Sequence, residues 1–206
     1  MPTTSTNSIK AIIFDLGKVI VDFDHLTICR KLSEYSPCAP QQTYDKIFTS
    51  GLEAQFDRGQ ISPEDFFNTI RSELNINIGI DLFREIWNNI FSLNHGIEDI
   101  IQRLKGKYKL LCLSNTNQWQ FEFCMQAFPV LNCFDSFILS FKVGEKKPQQ
   151  IIFRKAVENA GVFPHECLYV DDVKEFIKAA ESMQIKGIQF ISVAQLEKEL
   201  GQYGVL

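Results

Sequence analysis

Three carboxylates, a hydroxyl and an ammonium occupy places in this sequence where α/β proteins hold reacting groups. Asp15 ends the apolar run Ala11-Ile12-Ile13-Phe14, Ser114 ends Leu110-Leu111-Cys112-Leu113, and Asp171-Asp172 follows Cys167-Leu168-Tyr169-Val170. Lys147 stands directly before Pro148, at an expected helix start. Short apolar runs of this kind read as strands buried on both faces of a parallel sheet. Ligands of such sheets bind just beyond the carboxyl ends of the strands, so these residues converge on one edge. Carboxylates gathered in one cleft repel each other unless a cation joins them. Hard oxygen ligands favour Mg²⁺, which takes one or two carboxylates and completes its shell with water and substrate phosphate. The Ser114 hydroxyl, nearby backbone N–H groups and the Lys147 ammonium suit the remaining phosphate oxygens. A carboxylate facing such a phosphate can attack phosphorus.

The elements that must position these groups fall into two kinds. Asp24 caps a helix expected over about residues 25–35, and Pro37 and Pro40 break the chain after it. A second helical stretch covers about residues 41–56, with Gly59 as its stop signal. Ser62 and Pro63 start a third helix, whose apolar face carries Phe66, Phe67, Ile70 and Leu74. Asp81 opens a fourth, carrying Leu82, Phe83, Ile86, Trp87 and Ile90. No strand is expected between about residues 24 and 92. From Gly96 onward strands alternate with helices: strands at about 109–113, 136–139, 167–170 and 187–191, and helices at about 97–104, 118–127 and 148–160. Two more helices, one reaching about residue 183 and one closing the chain, complete the alternation. This is the pattern of βαβ units. The expected fold is α/β, a Rossmann-like parallel-sheet core (residues 8–23 and 93–206) with an inserted helical-bundle cap (residues 24–92).

Composition narrows the function classes. The chain has 206 residues and a net charge of −4, with no basic block, which argues against a nucleic-acid or anionic-membrane surface. No apolar run approaches the ~20 residues of a membrane span. Residues 1–8 are Ser/Thr-rich and read as a frayed tail, not a signal peptide. The six cysteines form no CxxC pair, and Cys112 and Cys167 lie in strand-like runs as buried thiols, so a reducing cytoplasm is expected. His25, His95 and His165 stand beside element boundaries and read as surface or capping residues.

The four segments, in this order, resemble the haloacid dehalogenase-like hydrolase superfamily, and the resemblance covers essentially the whole chain. It assigns the nucleophile to Asp15, the second motif to Ser114, the third to Lys147-Pro148 in preference to Lys146, and the acidic pair to Asp171-Asp172. Taken singly, a Lys-Pro is a helix start and an Asp-Asp after a strand is a turn; four motifs in register are specific. The insertion resembles the superfamily's C1 cap. Phe14-Asp15-Leu16-Gly17-Lys18-Val19-Ile20-Val21-Asp22, Leu113-Ser114-Asn115-Thr116-Asn117 and Arg58-Gly59-Gln60-Ile61-Ser62 look most like a bacterial branch that includes the α-D-glucose-1-phosphate phosphatases.

The resemblance implies a Mg²⁺-dependent phosphatase of small phosphorylated metabolites, sugar phosphates among them, working through an aspartyl-phosphate. Asp15 and Lys147 are then catalytic, and Ser114, Asn115 and Lys147 bind the phosphoryl group. Asp15, the Gly17 carbonyl, Asp171 and Asp172 serve the metal, with Asp172 favoured over Asp171 as direct ligand. Lys146 is expected to contribute little, and the protein to be a monomer or weak homodimer. Two departures stand out. Most phosphatases of the superfamily carry a second Asp two residues after the nucleophile as general acid/base, and that position here is Gly17. Phe176 stands where the branch often has a polar residue supporting the acidic pair, a role that falls to Glu175. A 2-haloacid dehalogenase, or a phosphate-binding module that lost its general acid, are the alternatives.

Overall fold

A strand whose residues are all apolar has to be covered on both faces, and Ala11–Phe14 (β1) is fully buried at the centre of a sheet. The computed structural model describes residues 8–206, so the tail read above lies, through residue 7, outside the described residues. After β1 come Val21–Phe23 (β2) and the helices His25–Ser33 (α1), Pro40–Tyr44 (α2), Leu52–Asp57 (α3), Pro63–Leu74 (α4) and Ile80–Asn88 (α5). Then follow Phe91–Leu93 (β3), Ile97–Leu104 (α6), Lys109–Ser114 (β4), Gln118–Ala127 (α7), Ser136–Leu139 (β5) and Ser140–Val143 (α8). Gln150–Ala160 (α9), Cys167–Asp171 (β6), Lys174–Glu181 (α10), Lys186–Gln189 (β7) and Val193–Gln202 (α11) complete the chain.

The larger sheet runs β5-β4-β1-β6-β7, all parallel. Alternate residues of β1 serve opposite layers, as the strand period of two requires. Ile12 and Phe14 pack with Ile100, Leu104, Leu196 and Leu200. Ala11 and Ile13 pack with Ile152, Phe153, Ala156 and Ile177 on the other face. Phe14 pairs with Cys112 of β4 and Val170 of β6, so one residue further along, Asp15 is level with Leu113 and Asp171. The topology thus puts the ends of β4, β1 and β6 side by side.

Helices α1–α5 form the inserted cap around their own aromatic core. Phe56 stacks on Phe66 at 4.3 Å, Trp87 meets Phe66 edge-on at 4.8 Å, and Trp119 of α7 enters the same cluster from the sheet side, 5.5 Å from Phe56. Asp24 and Ser62 cap α1 and α4 by accepting the Leu26 and Asp65 N–H groups, as expected.

Four expectations about elements need correction. Residues 91–92 belong not to the helical insertion but to β3, which pairs antiparallel with β2 (Val21 opposite Leu93, Phe23 opposite Phe91). The cap is therefore entered and left through one short ribbon, and Asn94 Nδ2 ties that ribbon down by donating to the Lys18 and Val19 carbonyls at 2.8 and 2.9 Å. The stretch 41–56 is two helices: a π turn over Asp45–Thr49 follows α2, and Gly51, at φ +87°, breaks the path before α3. In α5 only Phe83 and Trp87 of the expected apolar face are fully buried, Leu82 is exposed, and Ile90 lies beyond the helix. Pro148 lies in the turn before α9, which begins at Gln150.

Candidate active site

The buried strand ends deliver their side chains to one ammonium. Lys147 is 4 % exposed, and its Nζ lies 2.9 Å from Asp15 Oδ1 and 2.7 Å from Asp171 Oδ2. Asn115 aims it: the Asn115 amide donates to the Lys147 carbonyl at 3.1 Å and accepts the Lys147 N–H at 2.7 Å. The ammonium also donates to the Leu113 carbonyl at 3.2 Å and lies 5.1 Å from the centre of the Phe176 ring. Burial alone would lower the Lys147 pKa, but the two carboxylates outweigh it and the net shift is upward.

Asp171 is fixed from every side. Its Oδ2 accepts from Lys147 and from the Tyr169 hydroxyl, and its Oδ1 accepts the Val173 N–H at 2.8 Å. Tyr169, two residues back and so on the same side of the strand, is the support the sequence reading gave to Glu175, which is instead exposed. Asp172 is half-buried, and burial followed by the neighbouring Asp171 charge raises its pKa. Asp15 Oδ1 also accepts the Leu16 N–H at 2.7 Å. Burial pushes the Asp15 carboxyl up to about 8, against the pull of Lys147.

Oxygens of Asp15, Asp171 and Asp172 all lie within 4.8 Å of one another, with one ammonium among three carboxylates. Such a set is short of positive charge; burial first, and then the Asp171 and Asp172 charges, raise Asp15 against the pull of Lys147. The donors are hard oxygens, so the residues fit Mg²⁺. Because Lys147, Tyr169 and the Val173 N–H already occupy both Asp171 oxygens, Asp172 and Asp15 have the more available lone pairs.

Gly17 does not serve the turn in the way its type suggests. The left-handed residue is Lys18, at φ +60°, whereas a Cβ on Gly17 would lie 2.8 Å from Phe23 Cε1. The Phe23 ring fills the space a side chain at position 17 needs. It is itself packed against Phe91 at 5.7 Å and His25 at 4.8 Å. We expect Gly17→Ala to cost about 1–3 kcal/mol, the scale of overpacking, in a denaturant titration with unchanged slope. A neutral substitution would show that the ring yields freely.

A cavity of about 60 Å³ opens beside this turn, bounded by Leu16, Gly17, Ser114 and Thr116 below and by His25, Glu53 and Asp57 of the cap above. Three features of this region escaped the sequence. Lys146, expected to contribute little, has an ion-pairing role: its Nζ reaches Asp57 Oδ2 at 2.7 Å and Glu53 Oε2 at 3.5 Å, joining the sheet domain to α3. His25 is no simple surface residue: it stacks on Phe48 at 4.4 Å, and burial lowers its pKa to about 4. Gln120, on α7, is buried in the cavity wall. Carboxylates four apart on a helix share a face, so Glu53 and Asp57 lie together on α3, with a partner, Lys146, that nothing local marks.

A family model described as haloacid dehalogenase-like hydrolase matches residues 12–190. A D-ribitol-5-phosphate phosphatase of Bacteroides thetaiotaomicron is 26 % identical over 199 residues, covering 93 % of this chain and 97 % of that protein. The crystal structure of a HAD family enzyme from Bacteroides thetaiotaomicron, in complex with magnesium and inorganic phosphate, superposes with a TM-score of 0.82 at 26 % identity. It covers 90 % of this chain and 96 % of that one. The L-2-haloacid dehalogenase of Xanthobacter autotrophicus shares the fold, with a TM-score of 0.63 at 16 % identity over 96 % of this chain and 84 % of that one.

Proposed function

The chain belongs to the haloacid dehalogenase-like hydrolase family, and on that premise we propose that it hydrolyses phosphate monoesters of small sugars or polyols through a phosphorylated Asp15. The observation that carries this reading is the Lys147 ammonium held between Asp15 and Asp171 at the mouth of the parallel sheet. A dehalogenase has no need of three converging carboxylates. The polar roof of His25, Glu53, Asp57 and Gln120 suits a hydroxylated substrate, and the ribitol phosphatase gives that class a precedent.

Asp15, with Oδ1 fixed by Lys147 and the Leu16 N–H, attacks phosphorus through its other oxygen. Lys147 offsets the charge on the transferred group, Ser114 donates its hydroxyl, and Asn115, its side chain committed to Lys147, contributes main chain. Mg²⁺, held by Asp15, the Gly17 carbonyl and Asp172 with Asp171 behind them, would neutralise phosphoryl oxygens. The cap excludes water while the phosphoryl group moves.

The test is phosphate release from 4-nitrophenyl phosphate and from a panel of sugar and polyol phosphates. Turnover should require Mg²⁺ and stop on chelation. Metal-independent release of halide from a 2-haloacid, or tight phosphate binding without turnover, would sink the proposal.

A further inference from the structure

We propose that Glu53, on the cap, is the general acid–base of this site, protonating the departing ester oxygen and later taking a proton from the attacking water. This rests on the phosphatase reading above. A leaving alkoxide needs a proton, and Gly17, which has no side chain, cannot supply it; the Phe23 ring occupies the place a side chain there would take. Glu53 borders the same cavity as Leu16, Gly17, Ser114 and Thr116. Its neighbour Asp57 is fully committed, with Oδ2 accepting from Lys146 at 2.7 Å and Oδ1 from the Asn117 amide at 3.2 Å. Among the described residues Glu53 has the longer Lys146 contact of 3.5 Å and a side-chain hydrogen bond shared with Asp57.

The electrostatics follow from that arrangement. Half-buried and facing both a second carboxylate and an ammonium, Glu53 is raised by burial, then by the Asp57 charge, to about 8 in spite of Lys146. At neutral pH Glu53 therefore holds a proton, and when it gives that proton up, Lys146 stands beside the carboxylate that forms. The other titratable groups facing it are Asp57, Lys146 and His25. His25, lowered to about 4, is neutral at pH 7 and a poor donor. A second observation points to a ligand in the cavity: the Gln120 side chain, in its wall, is 8 % exposed and its Nε2 has no acceptor among the described residues. A substrate oxygen there would provide one.

The steps balance. In the first, the bond from Asp15 to phosphorus forms, the ester P–O bond breaks, and the alcohol leaves with the Glu53 proton. In the second, water attacks phosphorus, the Asp15–phosphorus bond breaks, and the water's proton returns to Glu53.

The experiment compares kcat/KM, which reports the steps through alcohol departure, for an alkyl phosphate (glycerol phosphate) and for 4-nitrophenyl phosphate, whose leaving group needs no proton. Glu53→Gln should lower the alkyl ester by ~10²–10⁴-fold and the aryl ester by less than about tenfold. The decline of alkyl-ester cleavage above about pH 8 should disappear with it. Glu53→Asp, which keeps a proton, should retain more alkyl-ester activity than Glu53→Gln. Equal losses on the two esters, or no loss on the alkyl ester, overturn the proposal and leave the phosphatase reading standing. Failure of the unmodified protein to release phosphate from either ester overturns both.

Discussion

Asp15→Asn is expected to abolish turnover while leaving a protein at least as stable as the unmodified chain. The amide has the shape of the carboxylate and can still accept from the Leu16 N–H and from Lys147. It is a very poor nucleophile, so the loss should reach roughly 10⁴-fold or more, the scale of removing a reacting group. The stability expectation has the opposite sign for a clear reason. Asp15 is buried beside Asp171, and burial raises its pKa to about 8, so carrying the charge works against folding. Removing it relieves that cost, as happens where a site trades stability for activity. Thermal unfolding in chelator and a phosphate-release assay with Mg²⁺ measure the two halves. More than a few percent residual activity in a purified sample would remove Asp15 from the role.

Lys147→Met should damage both properties together. Methionine keeps the apolar bulk of the lysine stem but leaves Asp15 and Asp171 facing each other without a cation, one of them fully enclosed. Breaking a buried pair from one side costs about 3–5 kcal/mol, and losing a donor aimed at transferred charge costs about 10²–10³-fold in rate. Burial alone would lower the Lys147 pKa, yet the net shift is upward, so its stabilisation is present throughout the range below the ordinary lysine pKa and is lost only as pH rises through the elevated value. The deficit should accordingly be present at pH 6 and change as pH rises through about 8, where Asp15 gains its charge. Lys107→Met, at an exposed site, serves as the control and should stay within about 0.5 kcal/mol of the parent. A Lys147→Met protein as stable and active as that control would mean that the ammonium is only structural filler.

The parts of this molecule that can be read from its sequence are those with local causes. β1, β4 and β6 announce themselves as apolar runs ending in polar residues, and α6 and α7 run between the expected limits because periodicity, Asn117 and the following turns mark them. The convergence of Asp15, Ser114 and Asp171-Asp172 follows from parallel topology alone, and Lys147 joins them from the turn before α9, held by Asn115. What stayed hidden has its cause far along the chain. The three-residue strands β2 and β3 show no period and find each other across the whole insertion. The partners of Lys146 lie 89 and 93 residues away, on α3. Phe23 looks like any aromatic until its ring is seen against Gly17. Tyr169 was the nearer miss. The i, i+2 rule for strands places its hydroxyl on the side of Asp171, but a tyrosine inside an apolar run reads first as core.

The meeting of cap and sheet domain also gives the protein an optical property. Its two tryptophans, Trp87 on α5 and Trp119 on α7, both lie in the cluster where the insertion packs on the core, one fully enclosed and the other 5 % exposed. Trp87 Nε1 even donates across the junction, to Asn117 Oδ1 at 3.4 Å. All tryptophan fluorescence of this chain therefore originates at the surface where cap and sheet domain meet. Both rings are already enclosed, so any loosening that lets water reach that surface would shift the emission to the red. The chain carries its own unlabelled gauge of how tightly cap and sheet domain pack.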